Sequence, residues 1–174
     1  MAPDSNKKRN SAPQQAVDAP KQHGLRRMEG TAADEALFQG LVDGLVVAVP
    51  SNEAPLLGLA GLLDWRFHGA ISHFHSLTHA NTESLGFKGT KGELTLVPLQ
   101  HRGKTFKALL VGVGACPKPG IRTQEGLDPI ARGLRAALDG LGWKSPGFSA
   151  KDWGETEVSE MNRFLEGRTG LLLD

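Results

Sequence analysis

The stretch Gly44–Leu63, GLVVAVPSNEAPLLGLAGLL, restricts the chain more than any other. Leu45, Val46, Val47, Ala48 and Val49 form an unbroken apolar run rich in β-branched side chains. Such a run is satisfied where both faces are covered, as in a parallel or mixed sheet between helices. Pro50 has no N–H to offer a ladder, so the strand is expected to end there. Ser51 and Asn52 carry oxygens that can accept from the orphan amides of a following helix, and Pro55 is tolerated within a first turn. Leu56, Ala60, Leu63 and Phe67 then recur at helical spacing and give one apolar stripe. Strand, polar turn and amphipathic helix in succession make half of an α/β unit.

The remaining segments continue that pattern. Residues 31–43 predict a short helix or an edge strand carrying Leu37, Phe38, Leu41 and Val42. Gly69 is expected to bend the helix that follows the central stretch, and Ile71, Phe74 and Leu77 supply a further apolar face. Gly92–Leu99 and Lys107–Val113 read as two strands of a hairpin with a loop of four or five residues. Asp128 and Pro129 open a helix with Ile130, Leu134, Ala137, Leu138 and Leu141 on one face, ended by Gly140 and Gly142. An extended segment around Phe148, a last helix over Glu155–Glu166 and an apolar run Gly170–Asp174 complete the reading.

Composition sets the boundaries of function. With 39% apolar residues the chain can build one core, and a formal charge of +1 disfavours broad attraction to nucleic acid or membrane. Residues 1–30 hold six Lys/Arg against three Asp/Glu, whereas residues 31–174 hold fourteen against sixteen. Residues 1–30 are therefore expected to be a disordered basic, Pro-rich tail ahead of a domain over 31–174. Cys116 is the single cysteine, which excludes an intrachain disulfide and fits a reducing, cytoplasmic setting. No apolar run approaches the length of a membrane helix.

Candidate chemistry is sparse. His68, His73, His75 and His79 lie close in sequence, but neither helix nor strand periodicity brings three of them to one point, and no HExxH is formed. Gly112-Val113-Gly114 closes a buried strand, where α/β sheets place ligand loops, yet it lacks the spacing of a phosphate-binding motif. Glu83, Glu93 and Asp128 fall in separate segments, with nothing pairing them for acid–base work.

Four segments carry a resemblance. GLVVAVPSNEAPLLGLAGLLDW includes the pair Leu63-Asp64; Gly69–Ser72 is a Gly-Ala-Ile-Ser helix start; Phe87–Glu93 reads FKGTKGE; Val111–Gly114 ends a strand as Val-Gly-Val-Gly. In this order they resemble the N-terminal domain of leucyl aminopeptidases, the M17 peptidases, over about residues 40–142. The resemblance implies a three-layer α/β/α, macro-domain-like mixed sheet flanked by helices, without catalysis. The family's metal ligands and bicarbonate-holding Arg belong to a separate C-terminal domain. Its Asn-Thr-Asp-Ala-Glu-Gly-Arg segment does not occur here, and Asn81-Thr82-Glu83 is only a short echo. No catalytic residue, metal or cofactor is therefore expected. The chain is then either a stand-alone relative of that domain or a fragment.

The implied role is an interaction or regulatory module acting through a protein partner or self-association. The fold is also similar to true macro domains, which bind ADP-ribose in loops at strand ends. On that reading Ser51, Asn52, Gly112, Gly114 and Ala115 would form the ligand site. The glycine-rich stretch of macro domains is reduced here to Gly58-Leu59-Ala60-Gly61, which puts a leucine where backbone must approach phosphate.

Overall fold

The structure, a computed structural model, describes residues 24–51, 54–74, 86–115, 128–153, 162, 165 and 167–174. Its elements are β1 (Gly24–Met28), α1 (Ala33–Phe38), β2 (Gly44–Pro50), α2 (Gly58–Arg66), β3 (Leu94–His101), β4 (Lys104–Gly114), α3 (Asp128–Leu141), β5 (Pro146–Ser149) and β6 (Thr169–Leu173). Residues 70–74 and 150–153 are also helical. The strands form one six-stranded sheet in the order β1-β6-β5-β2-β4-β3. All neighbours are parallel except β3 and β4, which pair as an antiparallel hairpin, so the sheet is mixed.

The central strand is β2, buried along all seven residues. Alternate side chains of a strand point to opposite faces, and the core divides accordingly. Leu45, Val47 and Val49 pack with Ala36 and Leu37 of α1, Leu59, Ala60 and Leu63 of α2, Phe67 and Ile71. Val46 and Ala48 pack on the other side with Ile130, Leu134 and Leu138 of α3, and with Trp143, Phe148 and Trp153. Helices therefore cover both faces, and the expected α/β/α layering is what the chain adopts.

Several local expectations change. Residues 24–28, assigned by their polarity to a tail, form β1 along β6 at one edge of the sheet. At an edge only Leu25 and Met28 need to be partly covered, so Arg26 and Arg27 point outward and hide the strand pattern. The rest of the expected tail, residues 1–23, lies outside the described residues. The final apolar run is β6, inserted between β1 and β5. The hairpin loop is shorter than expected. His101 pairs with Lys104, leaving only Arg102 and Gly103 at the turn, with φ of 48° and 75°. Positive φ at both positions matches the right-handed twist of the flanking strands.

α2 also starts later than expected. It opens at Gly58, with Leu57 at the capping position and no side-chain cap from it. Pro55 thus precedes the helix rather than sitting in its first turn, and Ser51 does not cap it. Asn52 and nearly all of the helix expected over Glu155–Glu166 lie outside the described residues.

Candidate functional site

The parallel strands β5, β2 and β4 lie side by side and end at the same margin of the sheet, the usual place for ligand loops in an α/β fold. Ser51 follows β2 there, and Gly112, Gly114 and Ala115 stand at the end of β4. Val49 pairs with Gly112 and Pro50 with Gly114, so the irregularity between them leaves Val113 as an extra residue in the ladder. Four of the five residues expected at the site are thus brought together; Asn52 lies outside the described residues.

The backbone donors of Ser51, Gly112 and Gly114, however, are already used. Ser51 N donates to Gly114 O at 3.0 Å, Gly114 N to Gly89 O at 2.9 Å, and Gly112 N to Glu93 O at 2.8 Å. The acceptors at 89 and 93 belong to the turn over residues 87–93, which folds across the ends of both strands. Glu93 holds that turn: its carboxylate accepts from Lys88 N and Thr90 N at 3.0 Å and from Thr90 Oγ1 at 2.9 Å. A Cβ at Gly112 would run into Thr90 O, and one at Gly89 would lie 2.9 Å from Pro50 C and O. These glycines let backbone approach backbone. The amides of Gly112 and Gly114, two of the expected ligand-binding residues, are thus bonded within the fold. Ser51 and Ala115 remain exposed at the margin.

The head of α2 is likewise occupied from within. Leu59 and Ala60 are buried in the core beneath the helix. The amide of Leu59 donates to Asp152 Oδ2 at 3.1 Å, and Asp152 itself is 4% exposed. Gly58 sits at φ +58°, with Asp152 Oδ1 where a side chain would begin. Sequence reading missed Asp152; the available signal was a helix opening on Leu-Gly, with no capping residue of its own.

The segments that carry the aminopeptidase resemblance prove to serve packing. Leu63 is fully buried, and Asp64 accepts from Ser72 N at 2.7 Å, bonding the helical residues 70–74 back to the end of α2. Phe87 is fully buried ahead of the Glu93-held turn. Among the described residues no three His, Cys, Asp or Glu converge as a metal site. His68 and His73 are exposed and described, whereas His75, His79 and Cys116 lie outside the described residues. His101 belongs to a ring cluster, 5.3 Å from Phe38 and 6.0 Å from Phe67 between centroids.

Around α2, three large apolar side chains are turned outward beside the charged Arg66. Trp65 is 73% exposed, with Leu57 at 39% and Leu62 at 37%, and the Arg66 guanidinium lies 5.5 Å from the centre of the Trp65 ring. No helix among the described residues is long and apolar enough to cross a membrane.

Neither a family model nor a curated protein matches the sequence. Solved structures do match. The macrodomain of Thermus aquaticus DarG superposes with a TM-score of 0.58 at 13% identity, covering 86% of this chain and 97% of that one. The fold is macro-domain-like. The macrodomain of Mycobacterium tuberculosis DarG gives 0.56 at 10% identity, covering 87% and 99%. A mutant of tomato leucine aminopeptidase gives 0.57 at 15% identity, covering 92% of this chain but 34% of that enzyme. The macro-domain-like architecture thus accounts for nearly the whole of this chain and about a third of the aminopeptidase chain.

Proposed function

We propose that this chain is a non-catalytic, macro-domain-like interaction module related to the N-terminal part of the leucyl aminopeptidases. The observation that carries the reading is the commitment of the strand-end amides at Ser51, Gly112 and Gly114 to internal hydrogen bonds. A site whose donors are spent inside the fold offers little to a phosphate or to a developing oxyanion. The exposed face at Leu57, Leu62 and Trp65 supports docking on protein instead, either a partner or a second copy. The module is expected to hydrolyse no leucyl p-nitroanilide with Mn²⁺ or Zn²⁺ added. Metal-dependent turnover by the purified chain, above that of a mock preparation, would remove the reading. The docking role is tested with Trp65→Ser, which should weaken self-association or partner capture at least tenfold without lowering Tm; equal association by both proteins would count against it.

The second reading, binding of ADP-ribose or a related nucleotide, draws on the fold likeness to macrodomains and on the exposed Ser51 and Ala115 at adjoining strand ends. It requires the turn over residues 87–93 to give up its bonds to Gly112 and Gly114, and the two readings therefore predict different results in a ligand titration.

A further inference from the structure

We propose that Asp152 is a built-in anion that locks the head of α2 to the end of β5 and closes the strand-end margin to free phosphate. The first turn of any helix presents orphan N–H groups and the positive end of the helix dipole, a pairing that attracts anions. In α2 that turn has no side-chain cap of its own. The acceptor comes instead from 93 residues away: Asp152 Oδ2 stands 3.1 Å from Leu59 N, in a buried position. A carboxylate is buried at such a place only when fixed donors hold it.

Gly58 makes the arrangement possible. Asp152 Oδ1 occupies the space of a Cβ at position 58, so any side chain there would have to expel the carboxylate. Asp152 is the third residue after β5, in the helical residues 150–153, and β5 is hydrogen-bonded to β2. A single carboxylate therefore ties together the two helical segments that follow adjacent parallel strands. Glu93 and Asp43 act alike in more exposed loops, Asp43 Oδ2 accepting from Lys144 N and Ser145 N at 2.7 Å each. The lock operates whether or not α2 docks a partner.

The test compares wild type, Asp152→Ala and Asp152→Ser in phosphate and in chloride at matched ionic strength. Both variants are expected to melt below wild type in chloride. Inorganic phosphate at about 50 mM is expected to raise their Tm by a few degrees, as a ligand that binds only the folded state does, while wild type is unchanged. In wild type the Leu59 amide resonance should not move on adding phosphate. Folded variants that gain nothing from phosphate would overturn the lock. So would a wild type that gains as much as they do, or a Leu59 resonance in wild type that titrates with phosphate. The last readout stands even if neither variant folds.

Discussion

Arg66 Nε stands 2.8 Å from Asp34 Oδ2, and this ion pair joins α2 to α1 across the outer layer of the fold. The two ends are unequal: the Asp34 side chain is 4% exposed and that of Arg66 44%. Removing the arginine leaves a buried carboxylate without this donor, whereas the arginine itself loses little by returning to water. Arg66→Ala should therefore destabilise the protein by about 1–3 kcal/mol, nearer the lower figure because one partner is half solvated. Urea unfolding followed by circular dichroism checks this; an unchanged midpoint would mean that the first turn of α1 alone supports Asp34.

Gly112 and Gly140 make a paired prediction. An alanine at 112 drives its Cβ into Thr90 O, and the strand cannot move without breaking the ladder to β2. Gly112→Ala should cost about 1–3 kcal/mol by overpacking. Gly140, in the last turn of α3, has nothing near its Cβ position. Gly140→Ala should stabilise by about 0.5–1 kcal/mol through helix propensity. Thermal melts of the two variants should move in opposite directions.

Pro98 guards the open edge of the sheet. Gly112 N donates to Glu93 O, so ladder bonds to β4 alternate from residue 93, and positions 94, 96, 98 and 100 turn their backbone groups outward. A proline at 98 removes the central outward N–H from a strand that also exposes Leu96. Pro98→Val should give concentration-dependent self-association in sedimentation velocity. A variant that sediments as wild type at every concentration would show that the edge is blocked by something else.

Truncation tests the place of β1. Removing residues 1–30 strips the edge strand from β6 and uncovers the side chains that pack with Leu25 and Met28. That deletion should lower Tm by about 4 °C or more, since about 1 kcal/mol corresponds to a few degrees in a chain of this size. A truncation ending at residue 23, which removes a mostly polar stretch, serves as the reference and should melt as the full chain does.

The parts of the fold legible in the sequence were those with strong hydrophobic patterning. The run Leu45–Val49 is buried on both faces, and the apolar face of α3 lies where its spacing places it, because burial and sequence pattern express the same requirement. β1 was not legible because an edge strand of five residues needs little apolar surface and can carry two exposed arginines. The two-residue hairpin was obscured because Arg102 adopts a positive φ that its side chain does not advertise. At the candidate site, the clustering of Ser51, Gly112, Gly114 and Ala115 followed from strand order. Their internal hydrogen bonds did not, since they depend on a turn over residues 87–93 lying across the strand ends. Asp152 was hidden for a related reason: a cap supplied from 93 residues away leaves no local spacing to find.

Isothermal titration of the full chain with ADP-ribose tests the central claim most directly. If the strand-end amides of Ser51, Gly112 and Gly114 are committed within the fold, no saturable heat should appear at ligand concentrations up to about 1 mM, an affinity weaker than about 4 kcal/mol. Saturable binding at micromolar ligand, lost in Ser51→Tyr, would contradict the account and place a nucleotide at the strand ends.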